Sequence, residues 1–277
     1  MTDETTPVLR AANVTFGFPN RPDFLKPLSL DMFAGQCWGI IGPNGAGKST
    51  VLRLLAGLWT PTSGQILLED RPLGNIPWHQ RAKRTAFLPQ QLAHDLTTSA
   101  GDIVLMGRHP YRRLGLFDNA ADRKIAAQAM KSTQTIAFSD RPLRTLSGGE
   151  AQRVHIAAAL AQQPSTFLLD EPTASLDLHY QLSIFELLQR LAIERHLLVV
   201  VVTHDINLAA RFCTHVLLLN DGFEIAAGPP ASVMTPEVLE SVYNVELASA
   251  RADHDTHPWL VPLKPKSMPD EAQEDDT

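Results

Sequence analysis

The sequence predicts an α/β fold: a mostly parallel sheet that carries an antiparallel β subdomain and an inserted helical subdomain. In the second half of the chain, short apolar runs alternate with segments of helical periodicity, which is typical of a parallel sheet. Between residues 91 and 145 the strand-like runs disappear and apolar residues recur at helical spacing, which indicates a helical insertion. The 277 residues, 44% of them hydrophobic and 19% charged, can build a sizeable core.

The first segments predict an antiparallel entry sheet. Val8 to Phe18 alternates as a strand does, Pro19 to Pro22 has the composition of a turn, and Leu28 to Phe33 predicts a second strand. Cys37 to Ile41 is apolar and predicts a buried strand. Later strands are expected at Gly64 to Glu69, Arg84 to Leu88, Thr166 to Leu169 and Leu197 to Val202, and a hairpin at Asn220-Asp221-Gly222.

Helical periodicity predicts the remaining elements and the limits of the insertion. Helices are expected at Val51 to Ala56, Ile103 to Arg108, Asp122 to Thr135, Gln152 to Gln162, Gln181 to Ile193 and Ile206 to Phe212. The helical subdomain should therefore occupy about residues 91–162. Residues 246–277 form a C-terminal extension, and its acidic end from Met268 to Thr277 has little to bury, so we expect it to be disordered.

The segment between the third strand and the first helix has the sequence of a phosphate-binding P-loop. Its glycines allow backbone angles at which successive amide groups converge on phosphate oxygens, at the positive end of the helix dipole. Lys48 adds a charge for the outer phosphates, and the Ser49 hydroxyl can bind Mg²⁺. A plain glycine-rich turn would not need both residues at this spacing. The expected nucleotide contacts are Gly42, Pro43, Asn44, Gly45, Ala46, Gly47, Lys48, Ser49 and Thr50.

Two adjacent carboxylates end the strand that begins at Thr166. We expect Asp170 to hold Mg²⁺, and Glu171 to orient the water that attacks the γ-phosphate. In isolation the pair would be better interpreted as caps of the strand end or of a following helix. The P-loop elsewhere in the chain favours the catalytic interpretation.

A second phosphate-binding surface is predicted at Leu146-Ser147-Gly148-Gly149-Glu150. The Ser147 hydroxyl and the amides of Gly148 and Gly149 stand at the start of a helix, where a phosphate can be bound. By itself this motif is a capping box, with Ser147 as the cap and Glu150 three residues later. Its position shortly before the carboxylate strand favours a nucleotide contact.

These motifs, taken together, resemble the ATP-binding subunit of an ABC transporter over residues 8–245. The resemblance lies in GPNGAGKST at 42–50, LSGGE at 146–150, FLLDEP at 167–172, SLD at 175–177 and VVTHD at 201–205. It implies that Gln90 binds Mg²⁺ and senses a membrane partner, that Asp177 lies at a dimer seam, and that His204 contacts the γ-phosphate. Phe18 stands where the family has an aromatic residue that stacks on adenine, although its neighbour Phe16 is an alternative.

A finer resemblance is to ATPases of importers for ferric siderophores, haem and cobalamin. It rests on residues 104–111 (VLMGRHPY), 175–181 (SLDLHYQ) and 242–245 (VYNV), while Ala151 departs from the polar or basic residue usual after the SGGE motif. It implies a homodimer that uses ATP and Mg²⁺, an integral-membrane permease, and indirectly a periplasmic substrate-binding protein. Ferric siderophore is the first choice of cargo, with haem, cobalamin or an exporter role as alternatives.

Other classes of protein fit the sequence less well. An ABC ATPase of translation or DNA repair would carry tandem cassettes or a long coiled coil, and a non-enzymatic nucleotide-binding module would lack Glu171 or His204. The net charge of -6 argues against nucleic acid as a partner, although it leaves room for a local basic groove.

Composition also predicts a compartment and the state of the cysteines. The polar start and the short aliphatic runs predict a chain that stays in the cytoplasm, without a signal peptide. The resemblance to importer ATPases implies a place at the cytoplasmic face of the inner membrane. The two cysteines, Cys37 and Cys213, are expected to be buried thiols. The segment from Gln90 through Tyr111 is predicted to dock a permease helix through exposed basic and aromatic residues, namely Arg108, Tyr111, Arg112 and Arg113.

Overall fold

The computed structural model describes residues 6–111, 120–250 and 259–266. Its strands are β1 (Leu9–Phe18), β2 (Arg21–Met32), β3 (Cys37–Ile41), β4 (Ser63–Leu68), β5 (Arg71–Pro72), β6 (Thr85–Leu88), β7 (Thr166–Asp170), β8 (Leu198–Val202), β9 (His215–Asn220), β10 (Phe223–Gly228), β11 (Val245–Ala250) and β12 (Trp259–Pro265). Its helices are α1 (Lys48–Leu55), α2 (Trp78–Arg81), α3 (Ala100–Met106), α4 (Ala120–Ser132), α5 (Gly148–Ala161), α6 (Leu178–Arg195), α7 (Ile206–Phe212), α8 (Pro230–Val233) and α9 (Pro236–Tyr243). The predicted α/β fold is confirmed.

The main sheet has six strands in the order β10-β9-β3-β8-β7-β6. Strands β6, β7, β8, β3 and β9 run parallel, and only β10 is antiparallel, as the partner of β9 in the predicted hairpin. In β8 successive side chains face opposite sides of the sheet, since Val199 and Val201 belong to one apolar cluster and Val200 and Val202 to another. Helices cover the first face, which explains why this strand is aliphatic throughout.

A four-stranded antiparallel sheet, in the order β2-β1-β4-β5, packs on the second face together with α1. The predicted bounds of the second strand and of the turn before it are wrong. Strand β2 begins at Arg21, which pairs with Phe18, so the turn contains only Pro19 and Asn20. In the sequence, the prolines between Pro19 and Leu28 argue against a strand. Because β2 is an edge strand, it tolerates residues that lack an N–H.

The helical subdomain has an apolar core of its own, formed by α3, α4 and α5. Ala151 is 1% exposed within that core, which accounts for a small apolar residue after the SGGE motif. Arg108 corrects the sequence prediction of an exposed residue: it is 4% exposed, and its guanidinium donates to Asp122 Oδ1 (2.8 Å) and the Ala161 carbonyl (2.7 Å). Arg112 and Arg113 lie outside the described residues.

The C-terminal extension contains a folded hairpin that the sequence did not predict. Strands β11 and β12 pair antiparallel, and Leu247 and Leu260 are buried against the main core. The acidic end predicted to be disordered, Met268 to Thr277, lies outside the described residues. Within the described ranges, none of the helices combines the length and the apolar character needed to cross a bilayer.

Candidate nucleotide-binding site

The carboxyl ends of four neighbouring parallel strands meet at one edge of the main sheet. The P-loop follows β3, Asp170 and Glu171 end and follow β7, His204 comes two residues after β8, and Gln90 comes two residues after β6. Ligands of open α/β sheets bind at such an edge because loops from several strands converge there. The strand order thus brings together the P-loop and four polar residues that are far apart in the sequence.

The P-loop encloses its own lysine. Lys48 is 5% exposed, and its ammonium donates to the carbonyls of Gly42 and Pro43, both at 2.9 Å. Burial lowers the pKa of Lys48, while the charges of Glu171 and Asp170 oppose this shift. Gly42 has a φ of 145°, and a Cβ there would lie 2.1 Å from the Leu219 carbonyl oxygen, so only glycine fits where β9 approaches. The loop can therefore present its backbone amides and one ammonium to a phosphate.

Ser49 and Asp170 form a pair of oxygen ligands beside the loop. The Ser49 hydroxyl donates to Asp170 Oδ1 at 2.8 Å, and an Arg53 nitrogen lies 4.0 Å from Asp170 Oδ2. Burial raises the pKa of Asp170, an effect that the hydrogen bond from Ser49 and the charges of Arg53 and Lys48 reduce. A hydroxyl next to a buried carboxylate suits a hard divalent cation such as Mg²⁺.

Glu171 joins two loops through its carboxylate. Its φ of 48° is left-handed, which is uncommon for a residue with a side chain and turns the chain sharply after β7. The carboxylate accepts from Gln90 Nε2 at 2.7 Å on one oxygen, and its other oxygen lies 2.5 Å from His204 Nε2. Gln90 and His204, from two other strand ends, thus both contact Glu171 at the mouth of the sheet.

The turn that carries His204 is held by hydrogen bonds between side-chain oxygens and backbone amides. Asp205 is the N-cap of α7 and accepts from the amides of Asn207 and Leu208, each at 2.9 Å. The Asp205 amide in turn donates to Thr203 Oγ1 at 3.1 Å. The His204 side chain itself is 45% exposed, so its position depends mainly on this turn and on Glu171.

Ser147 has the geometry of the capping box that its sequence predicts. Its hydroxyl accepts from the Glu150 amide, and the Glu150 carboxylate accepts from the Ser147 amide at 2.8 Å. Among the described residues its other hydrogen-bond partner is Tyr180, with 3.4 Å between the hydroxyl oxygens. Within one chain, therefore, the structure does not bring Ser147 or its neighbours Gly148 and Gly149 to the P-loop.

Tyr180 is a contact of this motif that the sequence analysis named only as part of a longer run. A Cβ on Gly149 would lie 2.2 Å from the Tyr180 ring, so this glycine is required by the close approach of α6. Asp177 caps the same helix and accepts from the Tyr180 amide at 3.0 Å. Asp177 is thus placed near the SGGE motif rather than near the P-loop.

Aromatic residues form a cluster beside the P-loop. Phe18 packs edge-on against Phe24 at 5.1 Å and against Phe16 at 5.1 Å, while Phe16 stacks on Trp59 at 5.2 Å. Phe24 in turn lies next to the P-loop, since a Cβ on Gly47 would be 3.3 Å from its ring. Phe18 and Phe16 are both only partly buried, so the structure does not decide between them as the residue that stacks on a base.

Tyr243 of α9 also reaches the P-loop, and the sequence analysis missed it. Its hydroxyl is fully buried and forms no well-aligned hydrogen bond with a described residue. Burial raises the pKa of Tyr243 to about 12, although the nearby backbone of Gly42 opposes the rise. The only sequence signal was the VYNV run at 242–245, which gave no indication of this contact.

The fold and the site together define a P-loop nucleotide-binding protein, and comparisons with known proteins identify which kind. Residues 25–174 match the ABC transporter family. The chain is 41% identical over 235 residues to the hemin import ATP-binding protein HmuV of Rhodococcus jostii, a match that covers 85% of this chain and 79% of that protein. It is 39% identical to the cobalamin import ATP-binding protein BtuD of Halobacterium salinarum, over 77% of this chain and 53% of that one.

Solved structures agree with this assignment. The chain superposes with a TM-score of 0.82 and 29% identity on a chain of a metal-chelate type ABC transporter in an inward-facing conformation, covering 92% of this chain and 97% of the other. The dimeric bacterial ABC transporter cassette MJ0796 gives a TM-score of 0.69 at 32% identity, over 80% and 98% of the two chains. The chain belongs to the ABC transporter family, and it is an ATP-binding subunit that hydrolyses ATP to power transport.

Proposed function

We propose that this chain is the ATPase of an importer for a metal chelate, with haem as the first candidate cargo. The observation that carries the ATPase assignment is the contact of Gln90, Glu171 and His204 at the edge of the sheet next to the P-loop. The cargo rests on the names of its relatives, among which hemin and cobalamin import proteins occur. Those names favour haem and cobalamin over the ferric siderophore that the sequence motifs suggested first.

Each P-loop group has a task in ATP binding. Lys48 exchanges its two carbonyl contacts for phosphate oxygens, and a buried ammonium binds them strongly because little water competes. The amides from Gly45 to Thr50 and the positive end of α1 hold the remaining phosphate charge. The half-buried aromatic residues Phe18 and Phe16 supply a stacking face for adenine.

Ser49, Asp170 and Gln90 are the proposed Mg²⁺ ligands. When bound, Mg²⁺ neutralises charge on the transferring phosphoryl group. The hydroxyl–carboxylate pair of Ser49 and Asp170 is a suitable oxygen set for this ion. Gln90 donates from Nε2 to the Glu171 carboxylate, so its side-chain oxygen would be the atom that binds the ion.

Glu171 and His204 are the proposed catalytic pair. Glu171 accepts a proton from the attacking water or orients it, and the short contact with His204 fixes the direction in which its carboxylate points. His204 is the proposed hydrogen-bond donor to the negative charge that develops on the γ-phosphate. Gln90 links this pair to the helical subdomain and so to a membrane partner.

A permease is the proposed partner, with docking at the segment from Gln90 through Tyr111. Residues 93–95 are exposed in this segment, as is Met106, which is 57% exposed on α3. The buried Arg108 is not part of this surface and instead stabilises the segment through its hydrogen bonds inside the helical subdomain. A Met106→Glu variant should copurify poorly with the permease, whereas Ile193→Glu, a change of an equally exposed residue on α6, should not. Equal recovery of the permease with both variants would contradict the proposal that the permease docks on this segment.

The catalytic assignment is tested by Glu171→Gln. The amide keeps the size of the side chain and loses the charge that orients the attacking water, so turnover should fall by about 10²–10³-fold while ATP still binds. Steady-state hydrolysis and ATP binding measured on the same preparation check this. Hydrolysis at the parent rate would reduce Glu171 to a residue that only shapes the end of β7.

The cargo is tested by uptake in cells that lack this chain. Cells complemented with the parent chain should accumulate labelled haem, and cells complemented with Glu171→Gln should not. Labelled ferric siderophore and cobalamin, offered to the same cells, separate the three cargoes. If none of the three depends on the chain, the importer assignment is wrong even if hydrolysis is normal.

A further inference from the structure

The C-terminal hairpin is attached to the helix that begins just after His204. Asn207, in the first turn of α7, donates from Nδ2 to the Leu260 carbonyl (3.1 Å) and accepts the Leu260 amide on Oδ1 (2.8 Å). Leu260 pairs with Ser249 across the hairpin, and its own N–H and C=O face α7 instead of β11. The Asn207 side chain therefore satisfies the edge of β12 as a third strand would.

Leu260 and the hairpin that carries it are held in place by further contacts. Leu260 is 1% exposed and shares an apolar cluster with Leu208 and Ala209 of α7. The hairpin is also tied to α9, because the Glu240 carboxylate accepts the Leu247 amide at 2.7 Å and lies 3.1 Å from the Lys266 ammonium. The hairpin can therefore act as a fixed support for the first turn of α7.

A short path of bonds leads from this support to His204. The Asn207 amide donates to Asp205, the residue directly after His204, and the Asp205 amide donates to Thr203 directly before it. Because the His204 side chain is nearly half exposed, a shift of this turn changes where its ring stands relative to Glu171. Displacements of about 1 Å at a reacting group can cost as much as 10²-fold in rate.

We propose that Asn207 is a positioning residue for ATP hydrolysis, which holds the His204 turn against the C-terminal hairpin. The inference rests on the proposed role of His204 and assigns a task to a hairpin outside the nucleotide-binding motifs. The competing explanation is that the two hydrogen bonds only stabilise the fold. The two explanations differ in what they predict for kcat once folded protein is compared.

The test compares Asn207→Ala with Gln189→Ala in the full chain. Gln189 of α6 donates one side-chain hydrogen bond to the Phe212 carbonyl (3.2 Å) at the C-terminal end of α7. It is therefore a control for the loss of stability when α7 loses a side-chain contact. Asn207→Ala should lower kcat about tenfold with KM for ATP within about twofold, because His204 acts on the charge of the transition state. Gln189→Ala should keep kcat within about twofold. Thermal melts identify a temperature at which every variant is folded.

A double-mutant cycle with His204→Ala decides whether Asn207 acts through the histidine. In that background Asn207→Ala should have no further effect on kcat, because the ring it positions is gone. An additional tenfold loss there would overturn the inference, as would a parent-like kcat for Asn207→Ala while His204→Ala is slow. If His204→Ala itself hydrolyses ATP at the parent rate, the proposed function of His204 is wrong. Should Asn207→Ala fail to fold, Asn207→Asp keeps the acceptor for the Leu260 amide and replaces the Nδ2 donor by a charged oxygen that repels the Leu260 carbonyl, and the same outcomes apply.

Discussion

Asp170 is a buried carboxylate whose ionisation opposes folding. It is 2% exposed, and burial raises its pKa despite the hydrogen bond from Ser49. A group whose pKa is raised in the folded state contributes stability below its unfolded pKa, and the contribution is lost as the pH rises through the folded pKa. In the pH range where Asp170 is ionised, the nucleotide-free protein therefore bears an unfavourable charge, which a bound cation would offset.

Asp170→Asn should accordingly stabilise the protein while removing its activity. The Ser49 hydroxyl can still donate to the amide oxygen, and the buried charge is gone. Above the pKa of Asp170 the Tm without nucleotide should rise, by about 2–4 °C for every ~1 kcal/mol gained in a chain of this size, and the gain should vanish in acid as Asp170 becomes protonated. Mg²⁺-dependent hydrolysis should be lost. Asp140→Asn, at an exposed carboxylate, is the control, and a lower Tm for Asp170→Asn would contradict the argument.

At this scale the sequence predicted which residues form the candidate site but not their contacts. Lys48, Ser49 and Asp170 belong to short motifs whose chemistry is local, so they could be found without a structure. The contact of Glu171 with Gln90 and His204 depends on the order of β6, β7 and β8 in the sheet, which no local pattern encodes. The proposed roles of these residues remain predictions.

Among the elements, the helical subdomain depends on one buried arginine. Arg108 follows α3 and donates to Asp122 of α4 and to the Ala161 carbonyl at the end of α5, so it connects all three helices. Its ring neighbour is Tyr111, whose centroid lies 3.9 Å from the guanidinium carbon. The sequence analysis predicted Arg108 to be an exposed residue of a permease dock, because its partners lie 14 and 53 residues away and could not be seen from the sequence.

Arg108→Ala should therefore be severely destabilising. Removing one member of a buried charged network typically costs about 3–5 kcal/mol. Denaturant unfolding of the full chain should show this loss, whereas Arg144→Ala, at an exposed arginine of the same subdomain, should change stability by less than about 0.5 kcal/mol. Equal effects of the two changes would mean that the three helices are held by their apolar core alone.

The C-terminal hairpin shows where sequence patterns fail for whole elements. Strand β12 contains Pro262 and Pro265, which argue against a strand, and its neighbourhood is polar. The strand forms because it is an edge strand, where proline is tolerated, and because Asn207 and α9 hold it. Helices were easier: α6 was predicted from Gln181 and begins at Leu178, where Asp177 caps it.

For the whole molecule, the separation of the two predicted phosphate-binding surfaces is the feature with the largest consequence. Ser147 is exposed, and its hydrogen-bond partners in the described part of the chain are Glu150 and Tyr180, not the P-loop. In the proposed site, Lys48 and the loop amides would cover one side of a triphosphate. A facing copy could supply Ser147 and Gly149 to the other side, and ATP would then stabilise the dimer by binding the closed form alone. The similarity to a dimeric cassette is consistent with this arrangement.

Mixed dimers test whether the site is shared. In a Glu171→Gln background, a Lys48→Ala chain is combined with a Ser147→Arg chain, so that a head-to-tail dimer has one site with both halves intact and one with neither. Sharing predicts about one occluded ATP per mixed dimer, and a site built within one chain predicts none. The Glu171→Gln homodimer, with about two, sets the upper reference, and homodimers of either double variant, with none, set the lower one. Mixed dimers that form by size measurement yet occlude no ATP would count against sharing, unless closure of the dimer needs both nucleotides.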